Sequence, residues 1–246
     1  MAFQFRNNMQ LGFPPFTPVV KNLIIFNFLV WAVQSFISPQ ITAWMENTFA
    51  LHSTYSGLFK PWQLFTYMFL HSPFGSSLGI MHILFNMLGL WMFGTALEMQ
   101  FGQKRFLFFY FVSGIGAAAI YLVYLHFQLH GVVSEFGLLL QSDNPQQDLA
   151  MQDYAIINAP MLGASGAIFG ILAAFAYLFP NTYLYLYFFL PIKTKWGVIA
   201  YLAYELIMTI RSAAGDDVAH VAHLGGALVG FALVYLWNKT DRRHFY

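Results

Sequence analysis

Four side chains in this sequence could do acyl-transfer chemistry if they met: His82, Asn86, Ser165 and His223. A serine hydroxyl becomes a nucleophile when a neutral imidazole takes its proton, which histidine does near neutral pH. The reaction also needs hydrogen-bond donors aimed at the developing oxyanion. His82 and Asn86 are four residues apart, so on a helix both face one spot, and both carry N–H donors. Ser165 lies in Gly163-Ala164-Ser165-Gly166-Ala167, with Gly170 beyond. Glycines there let backbones approach closely and leave free N–H groups at a helix start, whose N-terminus favours negative charge. His223 precedes Gly225 and Gly226, with Gly230 beyond. This small-residue face suits tight packing of one membrane helix on another. His220 competes as the base, but it lies one turn shallower than His223 and lacks the adjacent glycines.

The elements that must carry these residues are membrane spans. Of the 246 residues, 59% are hydrophobic, 20% aromatic and only 9% charged, and the mean hydropathy is +0.58. A soluble domain carries about 25% charged residues, so lipid must cover much of this surface. A span needs about 20 mostly apolar residues. Six stretches qualify: 20–38, 80–98, 105–127, 163–180, 196–211 and 218–237. The fold class expected is an all-α membrane protein, a six-helix bundle. Each of the four polar residues then lies within about 10 Å of the same face of the membrane, at 1.5 Å per residue. Polar groups inside spans are costly and mark function. A packing role for Ser165 is the plain alternative, weakened by the shared depth of the other three.

Between the first two spans, residues 39–79 mix aromatic residues with Pro, Ser and His and read as an interfacial segment. Residues 128–162 are acidic, with an aqueous loop centred on Gln141 to Asp148, and 181–195 form a Tyr- and Phe-rich connector. Both termini and the loops after the second and fourth spans hold nine of the 11 basic residues: Arg6, Lys21, Lys104, Arg105, Lys193, Lys195, Lys239, Arg242 and Arg243. Only Lys60 and Arg211 fall on the other side. The positive-inside rule places both termini in the cytoplasm. The N-terminal stretch shows no cleavable-signal pattern, so the first span is expected to be retained.

Several chemistries are disfavoured. There is no cysteine, which removes disulfides, thiol nucleophiles and cysteine metal sites. There is no His-Glu-x-x-His run of a zinc protease, and no basic run for nucleic acid. No Asp or Glu is read near His223 within the membrane, and Asp216 and Asp217 fall in the preceding loop. A Ser–His dyad is therefore expected rather than a triad. Glu205, in the fifth span, receives no role. His52, His71, His126 and His130 read as anchors at interfaces and loop edges. A metal-binding channel would want carboxylate or cysteine partners at the depth of the histidines, and none is read there.

His82-Ile-Leu-Phe-Asn86, Gly163-Ala-Ser165-Gly166 and Ala222-His223-Leu-Gly-Gly226 together resemble the signature motifs of the rhomboid intramembrane proteases, in that family's order and on its second, fourth and sixth helices. The resemblance covers residues 20–237, between an N-terminal segment 1–19 and a short tail 238–246. It implies a rhomboid six-helix bundle whose cavity opens outward, with 39–79 as the family's membrane-inserted first loop. It also implies a Ser165–His223 dyad, an oxyanion hole from His82, Asn86, the Ser165 N–H and Ala164, and Phe169 packed on the catalytic histidine. Gly94, Glu98 and Gly102 match a structural stretch closing the second helix. Where the family often shows Trp-Arg in its first loop, this chain has Trp62-Gln63. The activity implied is endopeptidase cleavage of transmembrane protein substrates near their outer end, without cofactor or metal, in a bacterial cytoplasmic (inner) membrane. A non-catalytic rhomboid-like protein that binds membrane clients is the alternative; such relatives usually lack the serine or the histidine.

Overall fold

The computed structural model describes residues 14–77, 79–139, 157–186, 190–211 and 218–240. The acidic loop around Gln141 to Asp148, the Asp216–Asp217 pair, and Arg6, Arg242 and Arg243 lie outside them.

Helix α1 (Pro18–Phe36) starts on a proline, whose missing N–H costs nothing in a first turn. The next N–H groups, of Val19 and Val20, donate to the Glu98 carboxylate at 3.0 and 2.9 Å, and the Thr17 hydroxyl donates to it as well. A carboxylate distant in sequence thus caps this helix, supplying the negative charge that a helix N-terminus favours. Glu98 belongs to a continuous helical stretch made of α4 (Gly79–Gly89), a π-helical turn at Leu90–Gly94 and α5 (Thr95–Phe101). That stretch stops at Gly102, whose φ of +77° suits glycine and turns the chain into α6 (Gln103–Leu139). Next come α7 (Ser165–Leu178), α8 (Thr194–Arg211) and α9 (Val218–Thr240).

Helices occur at all six expected stretches. Four of them, Pro18–Phe36, Gly79–Phe101, Gln103–His130 and His220–Thr240, are long and apolar enough to cross a membrane. Helix α7 is apolar but has only 14 residues, about 21 Å against a hydrocarbon core of about 30 Å. Helix α8 has 18 residues and carries Lys195, Glu205 and Arg211.

The segments between depart from expectation in three places. Residues 39–79 fold and pack rather than simply lie along a surface. Helix α2 (Pro39–Phe49), capped by the Ser38 hydroxyl, is followed by the short α3 (Gln63–Thr66) and a 3₁₀ turn at Tyr67–Phe69. Leu51, Tyr67 and Met68 from this segment join the main core. Helix α6 runs on to Leu139, into the segment expected to be a loop. The 181–195 connector holds an antiparallel hairpin, β1 (Tyr183–Leu186) with β2 (Leu190–Lys193), in which Tyr183 faces Lys193. Its strands are apolar almost throughout, so no alternation announces them.

Helix α9 packs most closely on α7 and α6. The α7–α9 contact is backbone on backbone. A Cβ added at Gly226 would lie 1.9 Å from the Gly166 carbonyl oxygen, and one at Gly230 2.5 Å from the Gly170 Cα. Without a driving force between apolar helices in lipid, such close approach is what holds them together. Outward faces are apolar, as at Leu29, Phe127 and Ile210. Among the described residues, the fold is an all-α membrane bundle with one strand pair.

Candidate active site

Ser165 is the first residue of α7. The first helical bond there runs from the Ile168 N–H to the Ala164 carbonyl at 3.1 Å. The N–H groups of Ser165, Gly166 and Ala167 therefore precede the first turn's acceptors and are free of intrahelical partners by helix geometry. The chain reaches this start under restraint. Leu51 and Met161 exchange two backbone hydrogen bonds, at 2.9 and 2.8 Å, and the Gly163 N–H donates to the Tyr67 carbonyl at 3.0 Å. The first loop thus grips the segment leading into the serine. Ala164 is fully buried at the point where that segment becomes helix.

The α7–α9 glycine contact brings His223 to the serine. His223 Nε2 lies 2.8 Å from Ser165 Oγ. Phe169, one turn along from Ser165, stacks on the His223 ring with centroids 4.1 Å apart and planes 10° from parallel. Both His223 and Ser165 are only partly buried, so the pair is accessible.

His82 reaches the same place from α4. The Ser72 backbone N–H donates to His82 Nδ1 at 3.2 Å, and the Ser72 hydroxyl lies 2.9 Å from the same nitrogen. A nitrogen that accepts from a backbone N–H carries no proton itself, so the neutral ring holds its proton on Nε2. That nitrogen borders the nucleophile. A Cβ added at Gly163, whose φ is +123°, would lie 2.8 Å from His82 Nε2 and 3.8 Å from Ser165 Oγ. Glycine at 163 therefore both permits the turn and leaves room between a donor and the serine. Gly166 faces the other way, toward Ala117, Tyr67 and the Ala222 carbonyl. Asn86 is buried and donates from Nδ2 to the His82 carbonyl at 2.7 Å, which leaves one amide hydrogen uncommitted.

Glu205 corrects the sequence reading. The expectation of no carboxylate beside His223 fails: Glu205 Oε2 lies 3.1 Å from His223 Nδ1 and 2.5 Å from His220 Nδ1. It was findable. Glu205 stands six residues before the end of α8 and His223 five after the start of α9, so both lie about 8–9 Å from neighbouring helix ends. Donor atoms of Glu205, His220 and His223 all fall within 4.8 Å of one another, a set that could hold a metal ion. As arranged, however, the 2.5 Å contact is a direct hydrogen bond. Two ligands on one zinc ion, each about 2.0–2.2 Å from it in tetrahedral geometry, stand farther apart.

His52 and His71 are not interfacial anchors either. Each is at most 1% exposed. His52 contacts the Asn158 and Glu46 carbonyls, both at 3.2 Å. His71 packs beside His82 with ring centroids 5.2 Å apart. Burial, and then the neighbouring His82, push His71 down to about 3. Gln63, where the family often has arginine, is wholly buried. It accepts from the His52 and Lys60 N–H groups and donates to the Leu58 carbonyl. A neutral amide thus ties the first loop together.

Comparison with known proteins identifies the family. The rhomboid domain model matches residues 58–239. RHOMBOID-like protein 12, mitochondrial, of Arabidopsis thaliana is 30% identical over 92% of this chain and 60% of its own length. Rhomboid protein 1, mitochondrial, of Saccharomyces cerevisiae is 31% identical over 63% of this chain and 37% of its own length. The chain thus spans less than two thirds of the length of each of these two relatives. The Bacillus subtilis relative YdcA is 25% identical over 92% of both chains. With a match over most of its length, three motifs in order and helices at the expected stretches, the chain belongs to the rhomboid family of intramembrane proteases.

Proposed function

We propose that this chain is an intramembrane serine endopeptidase that cuts transmembrane segments of other membrane proteins near their outer end. The observation that carries the reading is the 2.8 Å contact between His223 Nε2 and Ser165 Oγ at the start of α7. In this mechanism Ser165 Oγ attacks the scissile carbonyl carbon and its proton passes to His223 Nε2. The carbonyl oxygen becomes an oxyanion. His82 Nε2–H, the Ser165 N–H and the uncommitted Asn86 amide hydrogen are the donors for it, and Ala164 completes the hole by family resemblance. His223 then gives its proton to the leaving amine. Water, deprotonated by the same imidazole, hydrolyses the acyl-enzyme. No cofactor enters these steps.

Helix α7 is about 9 Å shorter than the hydrocarbon core. If its far end sits at one membrane face, Ser165 lies about that far below the other. A substrate helix would have to expose a peptide bond at that depth, which favours segments weakened by Gly, Pro or small residues. In this reading both termini are cytoplasmic and Ser165 lies toward the outer face of a bacterial cytoplasmic membrane; the basic bias of the loops supports that orientation.

The test is cleavage of a model transmembrane substrate by purified protein, wild type beside Ser165→Ala and His223→Ala, with a chelator control. Activity in wild type alone, unchanged by chelator, supports the reading. A Ser165→Ala protein that cuts like wild type sinks it. An inert but folded wild type, tried on a panel of substrates, points to client binding instead.

A further inference from the structure

Helix α8 touches the bundle lightly. Of its 18 residues only Thr194, Val198 and Glu205 are buried, and Glu205 is 2% exposed. A buried carboxylate on an apolar helix is costly unless it is partnered. Its partners are two imidazoles, one turn apart on α9, whose Nδ1 atoms both face the same oxygen, Oε2. The aromatic rings nearest the group are Phe169 and Tyr201, 5.0 Å apart, and Tyr204, which meets His220 edge-on at 6.4 Å.

This matters because of what Phe169 cannot do. Stacking fixes the plane of the His223 ring, but it is indifferent to a half-turn of the ring about its Cβ–Cγ bond. Such a turn would exchange Nδ1 for a carbon and carry Nε2 away from Ser165. It is also indifferent to which nitrogen holds the proton. A carboxylate on the Nδ1 edge settles both. An ionised carboxylate offers only acceptors, so Nδ1 keeps the proton and Nε2 stays free to accept from the Ser165 hydroxyl. When that proton transfers, the imidazolium forms against a negative charge.

We propose that Glu205 is a positioning residue for the reaction. It makes the pair a Ser165–His223–Glu205 triad, with His220 donating to the same oxygen and holding the carboxylate in place. The proposal rests on the serine-protease reading above. It differs from the dyad that the sequence led us to expect, and from a structural role for Glu205 as a mere helix contact.

The experiment uses the full chain, comparing wild type, Glu205→Gln, Glu205→Asp, His220→Gln, Ser165→Ala and His223→Ala. For each, kcat and KM are measured on a transmembrane peptide, together with the rate of Ser165 labelling by a fluorophosphonate and the thermal midpoint. Glu205→Gln keeps the shape but lets an amide N–H donate to Nδ1, favouring the wrong tautomer. The expected result is a fall in kcat and labelling of roughly 10²–10⁴-fold, the scale on which triad carboxylates act, with KM and the midpoint near wild type. Glu205→Asp regains part of this, and His220→Gln loses less. Independently of any Glu205 variant, NMR of the ¹⁵N-histidine-labelled wild type should show a low-field proton on His223 Nδ1. If Glu205→Gln keeps kcat within about threefold while Ser165→Ala is dead, the triad falls and the dyad survives. If kcat falls only in step with the midpoint, and the low-field proton is missing, the role is structural and the proposal is overturned. If Ser165→Ala cleaves like wild type, the serine reading itself fails, whatever Glu205 does.

Discussion

At the scale of single residues, the site works by settling where protons sit. Ser72 sets the tautomer of His82 from outside the span, through a backbone N–H that substitution by any residue but proline leaves in place. Ser72→Ala should therefore cost less than about tenfold in kcat, because the hydroxyl contact goes but the backbone donor stays. His82→Ala removes the donor itself and should lower kcat by roughly 10²–10³-fold with little change in KM, the usual cost of one oxyanion donor. Steady-state kinetics on one transmembrane substrate separates the two. Gln63 acts on stability instead. Gln63→Leu would leave the His52 and Lys60 N–H groups and the Leu58 carbonyl without their partner. At about 1–3 kcal/mol for each buried group left unsatisfied, and with Lys60 exposed and Leu58 only half-buried, the low end for three groups, about 3 kcal/mol, is expected, read as a lowered thermal midpoint.

At the scale of elements, two junctions decide whether the site exists. One is the α7–α9 contact. Gly226→Ala drives a methyl group into the Gly166 backbone, whereas a Cβ at neighbouring Gly225 would meet the Ile120 side chain at 3.1 Å, a tight contact but not a backbone clash. Gly226→Ala should abolish cleavage and lower the midpoint, while Gly225→Ala should leave much of both. Equal behaviour of the two variants would mean that the backbone contact is not what brings His223 to Ser165. The other junction is Glu98 on the α1 start, part of the stretch that sequence resemblance singled out as structural. The depth of the site groups was legible because helical rise converts residue number into distance. Their azimuth was not, since nothing in the sequence says which way α8 is turned. That is why Ser165, His82 and His223 could be named together while Glu205 stood beside them without a role. The hairpin at 183–193 was hidden for a related reason: a strand apolar on both faces shows no period.

At the scale of the whole molecule, the first loop is as much a part of the core as the helices, and this gives stability a pH dependence. His71 titrates at about 3 in the fold against an ordinary 6.5. Between those values the unfolded chain binds the proton and the folded chain does not, so this contribution is complete above about pH 6.5 and declines as pH falls toward 3. Thermal midpoints measured from pH 7 to pH 4 should drop more steeply in wild type than in His71→Leu. The residue composition alone could not separate a loop lying on the lipid surface from one packed inside, because both are aromatic with scattered polar groups. The pairing of Leu51 with Met161, across more than a hundred residues, and the burial of Tyr67 and Met68 in the main core show which it is. The order of Ser165 and His223 along the chain bears on time. A growing chain emerges with its serine first and its imidazole 58 residues later, roughly 3–12 s at ordinary rates of synthesis. Through that interval Ser165 has no base, and its oxyanion donors wait on a last helix that must seat glycine on glycine. On the mechanism proposed above, the nascent protein would cut nothing around it until its final span is in place.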